Sequence, residues 1–276
     1  MVPGGQYIIP YRSKASVFDL VPLGDSHIGN RACAKDKLKE DIERIRVNPN
    51  ARWLGTGDYC EFIGYQDKRF DADAIAENIS VSNLAELGFV LMREIRDLFM
   101  PIKDKCIGLL QGNHERSYEV RFQQRLTEWL AMELETKCFD YSTIFDIVFR
   151  RTTNSTRGTA SAQAFRVYAH HGAGFAQTSG GKLNRLIKFM DTWPRADIVI
   201  MGHVHEKKVH FKVPLDGDAK CGKIIQFQQL GVVTGSYLKT YCEGVTTYGE
   251  QRAYSPVALG AAFIHIKPHT REIEVQ

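Results

Sequence analysis

Five polar blocks punctuate this chain, most of them closing an apolar run: Gly24-Asp25-Ser26-His27, Gly57-Asp58, Gly112-Asn113-His114-Glu115, His171-Gly172 and Gly202-His203-Val204-His205. Residues 17–23, 52–54, 106–110 and 198–201 read as buried strands, the first despite Pro22 near its end. Between them, residues 35–47 place Leu38, Ile42 and Ile45 on one helical face. A longer helical pattern runs from about 74 to 99, until Pro101 stops it. Strands alternating with helices in this way predict a largely parallel sheet covered on both faces. The polar blocks then fall at strand ends, where α/β proteins place their sites.

The stretch from Glu115 to about Thr136 reads as a further helix, with Phe122, Leu126, Trp129 and Leu130 on its apolar face. Residues 144–151 and 165–169 read as strands, joined by an exposed hairpin loop at 152–161. Asn154-Ser155-Thr156 in that loop matches a glycosylation sequon, but without a secretion signal it reads as loop. Residues 181–190 form a short helix. Beyond His205 the runs 208–213, 223–229, 232–238 and 257–266 are β-rich and predict a second sheet packed against the first. With no repeat, low-complexity tract or Pro/Ser linker, residues 1–276 read as one domain. Residues 1–16 are its N-terminal arm, and 206–276 supply mostly second-sheet strands.

Composition narrows the functional classes. A chain of 276 residues, 43% hydrophobic and 25% charged, can bury the core of one large α/β domain. A net charge of +4 falls short of the concentrated charge of a dedicated nucleic-acid arm. The six cysteines lack CxxC pairing, which disfavours a zinc ribbon or disulfide framework and fits a reducing cytosol. No apolar stretch is long enough to span a bilayer, and Met1-Val2-Pro3-Gly4-Gly5 does not start a signal peptide. A soluble cytoplasmic protein without a membrane partner is the expectation.

Hydrolysis of a phosphate ester by water at neutral pH needs a hydroxide, neutralised phosphoryl oxygens and a stabilised leaving alkoxide. Two divalent metals roughly 3.5–4 Å apart meet all three needs. The blocks hold suitable donors. Asp25 and His27, one residue apart on a loop past a strand, can turn toward one ion, and Asp58 is the natural bridge. Asn113 offers a neutral carbonyl oxygen. His203 and His205 reach different ions if the backbone between them is extended, or share one if it curls.

In this order the blocks D-x-H, G-D, G-N-H-E, H-G and G-H-x-H resemble the signature of the calcineurin-like metallophosphoesterases. They span Gly24 to His205, about two thirds of the chain. The resemblance implies an α/β fold, a four-layer α/β/β/α sandwich with two mixed sheets. It also implies two divalent ions, Mn²⁺ first, with Fe²⁺, Zn²⁺ and Ni²⁺ suited to the same donors. By family position Asp25, His27 and His205 hold the first metal, Asp58 bridges, and Asn113, His171 and His203 hold the second. His114 faces the substrate, to stabilise the transition state or protonate the leaving oxygen. Glu115 hydrogen-bonds that imidazole, fixing its tautomer and raising its pKa.

Two departures refine the expectation. The family commonly has Asp where this chain has Glu115, although Glu occurs there in the Ser/Thr protein phosphatases. Those phosphatases also carry an arginine soon after the bridging Asp and another just before G-N-H-E. This chain reads Gly57-Asp58-Tyr59-Cys60-Glu61-Phe62 and Gln111-Gly112-Asn113-His114, so the protein-phosphatase reading is demoted. The form Gly24-Asp25-Ser26-His27-Ile28-Gly29 is closer to the DNA-repair nucleases and phosphodiesterases of the family.

The remaining candidates carry competing readings. Arg116 is either a substrate-binding phosphate contact or a solvated residue early in its helix. Cys60 reads as a core or loop thiol before it reads as a ligand. His170 is structural or supports the ligands, and His210, His265 and His269 are structural. Lys182, Arg185 and Lys188 read as a solvated face rather than a phosphate-steering one. Tyr237, Tyr241, Tyr248 and Tyr254 read as packing in the second sheet before they read as a stacking platform. The combined expectation is a hydrolase of phosphoric esters acting through a metal-bridging hydroxide, leaning to phosphodiesters in nucleotides or nucleic acid. A phosphomonoesterase is the alternative within the enzyme class, and a non-catalytic scaffold on the same fold is the alternative outside it.

Overall fold

The computed structural model describes residues 1–64, 67, 70–152, 161–174, 176–218 and 221–276. Its elements run β1 (Val2–Tyr11), β2 (Phe18–Leu23), α1 (Lys35–Val47), β3 (Ala51–Gly55), α2 (Leu87–Phe99), β4 (Cys106–Leu109), α3 (Asn113–Phe122) and α4 (Leu126–Glu133). There follow β5 (Ser142–Arg151), β6 (Ala162–His170), α5 (Ser179–Thr192), β7 (Ile198–Met201), β8 (Lys207–Lys212), β9 (Leu215–Asp218), β10 (Lys223–Gln226), β11 (Gln229–Thr234), α6 (Tyr248–Gln251), β12 (Ile264–Lys267) and β13 (Glu272–Val275).

Two mixed sheets result. One has the order β1-β5-β6-β7-β11-β8 and the other β13-β12-β2-β3-β4. The pairs β2–β3, β3–β4, β6–β7 and β7–β11 are parallel, so β2, β3 and β4 end on one side and β6 and β7 end together. All six residues of β2 are buried, as a strand covered on both faces must be. Pro22 lies past the last β2 residue paired with β12, where its missing N–H interrupts no bond to that neighbour.

Three apolar layers hold the sandwich. Phe18, Leu20, Leu54 and Ile264 from one sheet meet Phe145, Phe165, Ile198 and Leu230 from the other. Outside the five-stranded sheet, Leu38 and Ile42 of α1, Met92 and Ile95 of α2 and Leu130 of α4 pack on Val21 and Trp53. Outside the six-stranded sheet, Leu186 and Met190 of α5 pack on Val199, Met201 and Val233. Helix, sheet, sheet and helix stack in that order, the four layers expected. Among the described residues no helix is long and apolar enough to cross a membrane.

Several expectations from the sequence need correction. Residues 2–11 of the N-terminal arm are a full edge strand, paired in parallel with β5. The segment after 206 divides between the sheets: β8 and β11 join β7, β12 and β13 join β2, and β9–β10 form a separate hairpin. Local apolar alternation marks strands but not which sheet receives them. The helix expected at 74–99 begins only at Leu87; residues 81–86 form a 3₁₀ turn, entered where the Ser80 N–H donates to Asn83 Oδ1 at 2.9 Å and the Asn83 N–H to the Ser80 carbonyl at 3.0 Å. The helix expected after Glu115 breaks at Gln123, whose φ is 52°. Most of the expected loop at 152–161, with its sequon, lies outside the described residues.

Candidate metal centre

The five blocks converge. Asp25 and His27 follow β2, Asp58 follows β3, Asn113 opens α3 just after β4, His171 follows β6, and His203 and His205 follow β7. Tight backbone packing makes this possible. A Cβ on Gly112 would lie 2.2 Å from the amide nitrogen and Oδ1 of Asp58, and one on Gly57 would lie 2.7 Å from Nδ1 of His171. Asp25, His27, Asp58, His203 and His205 all have positive φ, between 48° and 71°. Asp and His tolerate this left-handed region better than most residues, and strained backbone of this kind gathers at functional sites.

Of three donor groups among the described residues, one is made of His27, Glu61 and His114, and the other two share one residue. Ligand atoms of Asp25, His27, Asp58 and His205 lie within 4.8 Å of one another, as do those of Asp58, His171 and His203. His203 and His205 therefore fall in different groups, and Asp58 belongs to both. Asp58 is buried; Oδ1 accepts the His114 N–H at 2.9 Å and Oδ2 lies 3.4 Å from His171 Nε2. Burial alone would raise its carboxyl pKa, but the His171, His114 and His27 rings hold it well below the usual range.

The histidine tautomers are set from outside the centre. His171 donates Nδ1–H to the Thr56 carbonyl at 2.7 Å, so its Nε2 faces Asn113 Oδ1 at 3.1 Å. His203 donates Nε2–H to the Gly174 carbonyl at 2.9 Å, which leaves Nδ1 buried and without a partner. His27 donates Nδ1–H to Glu61 at 3.0 Å, and its Nε2 stands 3.1 Å from Nε2 of His205. Asp25 accepts the His203 N–H at 3.0 Å, and its Oδ1 lies 3.3 Å from His205 Nε2. Neutral imidazoles held this way point lone pairs inward among carboxylate and amide oxygens. That donor set fits divalent cations, which supply the positive charge the lone pairs face. Without a cation, burial opposes charge on His171, but Asp58 and Asp25 outweigh it and raise its pKa to about 10.

His114 stands beside this set, its ring 4.8 Å from that of His27 and nearly perpendicular to it. Its Nδ1–H donates to the Glu61 carbonyl, which leaves Nε2 free of that bond. The expected pairing of its imidazole with Glu115 is not formed. Glu115 sits in the first turn of α3, and its carboxylate turns back to accept the backbone N–H groups of Gly112 (2.9 Å), Asp58 (2.9 Å) and Tyr59 (2.7 Å). Three buried amides bind it more completely than one ring could. Its role is to tie the β3 loop to α3, and burial followed by the Asp58 charge raises its pKa.

Glu61 is the residue that sequence reasoning missed. It holds His27 through its carboxylate and His114 through its carbonyl, and burial is outweighed by those two rings, which bring its pKa to about 2. The only signal was a carboxylate three residues after Asp58.

The weaker candidates resolve as follows. Arg116 is half-exposed and paired with Glu119 on its own helix at 3.1 Å. Cys60 is buried with its thiol against the Leu91 carbonyl, and burial pushes its pKa well up. His170 stacks on Phe189 at 4.7 Å, with its pKa lowered to about 4 by burial and by His171. His265 pairs with Asp19 at 2.6 Å, away from the centre. Tyr237 is buried with its hydroxyl on Asp41 at 2.8 Å, while Tyr248 meets Tyr254 edge-on at 6.1 Å.

No protein-family model matches this chain, and no curated protein matches it. Among solved structures it is similar to Vps29 of Entamoeba histolytica complexed with zinc, at 11% identity and a TM-score of 0.39, covering 95% of this chain and 97% of that one. It is also similar to a conserved uncharacterized protein of Streptococcus pneumoniae described as a predicted phosphoesterase, at 10% identity and a TM-score of 0.36, covering 95% and 98%. The blocks meet at one place, at the ends of strands drawn from both sheets.

Proposed function

We infer that the chain is a metal-dependent phosphoesterase, a hydrolase of phosphoric esters that prefers phosphodiesters of nucleotides or nucleic acid. Asp58 carries the reading: one buried carboxylate shared by two donor groups, faced by the unpartnered Nδ1 of His203. Asp25, His27 and His205 would hold one divalent ion, Asn113, His171 and His203 the other, and Asp58 both, with Mn²⁺ the first choice. Such ions supply positive charge for the phosphoryl oxygens and lower the pKa of water.

The protein's own groups do the rest. The bond from His114 to the Glu61 carbonyl fixes Nδ1 as the protonated nitrogen, so a charged ring offers its second proton at Nε2. A proton delivered there stabilises a leaving alkoxide. Glu61 orients His27 and His114 together, and Glu115 keeps the Asp58 loop against α3. The preference for diesters is supported by the arginines the chain lacks. Gln111 stands before Gly112 and is tied to Glu119 at 2.6 Å, and Arg116 is paired with the same carboxylate. A monoester dianion calls for more positive charge than these supply.

Purified protein with Mn²⁺ is expected to hydrolyse a bis-aryl phosphate diester faster than the corresponding monoester. Absence of turnover on both, with Mn²⁺, Ni²⁺, Zn²⁺ and Fe²⁺ each tried, would sink the reading. Mononucleotide, cyclic nucleotide, single-stranded and duplex DNA compared side by side would then rank the substrates.

A further inference from the structure

The basic face of α5 contains one residue that reaches the metal centre through the backbone. Leu186 and Met190 anchor this helix to the six-stranded sheet. Beside them, Arg185 donates Nη1–H to the Ala173 carbonyl at 3.0 Å. Its guanidinium lies over Gly174, so that a Cβ there would fall 2.2 Å from Nη1. Gly174 has φ +76°, and its carbonyl accepts Nε2–H of His203. The same imidazole presents the buried, unpartnered Nδ1 toward Asp58 and His171.

We propose that Arg185 is a positioning residue for the His171 and His203 half of the centre. By holding the turn at residues 172–174, it keeps the Gly174 carbonyl on Nε2–H and so fixes the tautomer that leaves a lone pair on Nδ1. This rests on the metal-centre reading above. The Gly174 carbonyl is the outer hydrogen-bond partner of His203, and losing such a partner costs about 10–100-fold in affinity; Arg185 acts one bond further out, on the neighbouring Ala173 carbonyl. Arg185 acts through carbonyls, so its charge as such is not what matters. Lys182 supplies the control. It carries the same charge one turn earlier, but it binds Glu206 at 3.2 Å, in a cluster with Ser179 (2.6 Å) and Lys208 (2.8 Å).

Calorimetric titration of the full chain with Mn²⁺, alongside Mn²⁺ electron paramagnetic resonance, tests this without any substrate. Wild type is expected to take up two ions with an exchange-coupled signal. Arg185→Ala should bind one ion normally and the other about tenfold more weakly, showing an isolated-ion spectrum at limiting metal. The normal first ion also certifies that the variant is folded. Arg185→Lys, which keeps one donor, should recover part of the loss, and Lys182→Ala should match wild type. Arg185→Ala binding both ions as wild type does, weakening both equally, or weakening no more than Lys182→Ala would each overturn the proposal. A wild type that binds no ion overturns the centre itself, and the wild-type arm reports that separately from the variants.

Discussion

His27 and His205 turn their Nε2 atoms toward each other at 3.1 Å. Because His27 donates Nδ1–H to Glu61, the facing nitrogen of the neutral ring carries a lone pair. Two ring nitrogens this close call for a proton or a cation between them, and Asp25 Oδ1, 3.3 Å from the same His205 nitrogen, adds an oxygen donor at that position. Metal is therefore expected to stabilise the fold, by about 2.7 kcal/mol for each ion bound at a free concentration one hundred times its Kd. Thermal unfolding with Mn²⁺ and with EDTA checks this; identical midpoints would contradict it.

Asp58 serves both donor groups, so Asp58→Asn should lose both ions together rather than one. Hydrolysis should fall by about a hundredfold or more, since Lewis-acid activation of water goes with the ions. Metal content by mass spectrometry separates this outcome from a simple catalytic defect.

His114 contacts the centre through ring packing and its backbone N–H, and its side chain is assigned to the ester. His114→Ala should keep both ions while kcat falls by about 10²–10⁴, the range for loss of a general acid. A parallel loss of metal would return His114 to a structural role.

His171 ties metal binding to pH. In metal-free protein its pKa is about 10, so below that pH an entering ion must displace a proton. Affinity should weaken as pH falls, by about tenfold per unit from this group, and level off above about pH 10. The sign for stability is the opposite. A folded pKa above the ordinary value of about 6.5 means that the charged ring stabilises metal-free protein fully below that value, and the benefit disappears as pH rises through about 10. Calorimetry in two buffers of different ionisation enthalpy counts the protons released. Zero release would remove His171 from the ligand set.

Glu115 distinguishes a tether from a catalyst. Glu115→Gln places an amide donor against one of three backbone N–H groups, and should lower stability by roughly 2–3 kcal/mol. The folded variant should keep its kcat, because the His114 ring bonds Glu61 instead. A kcat loss as large as that of His114→Ala would restore the pairing with His114.

The candidate donors were legible in the sequence, because Asp25, Asp58, Asn113, His171 and His203 each stand beside a glycine near the end of an apolar run, with His27 and His205 two residues further on from Asp25 and His203. Their tautomers were not legible. Those depend on the carbonyls of Thr56, Gly174 and Glu61, and a carbonyl leaves no mark in a residue code. Glu115 was misassigned for a related reason: its three partners are amides of residues 58, 59 and 112, brought together only by the parallel pairing of β3 with β4. Strand identity was readable from apolar runs, while sheet membership after residue 206 was not, since β8, β11 and β12 look alike locally and differ only in their distant partners.

The donors come from both sheets, with β2, β3 and α3 on one side and β6 and β7 on the other. An occupied centre is thus a rivet through two plates. Shear of one plate over the other would part Asp58 from His171 and His203, so sliding of the sandwich and release of its ions amount to a single mechanical motion.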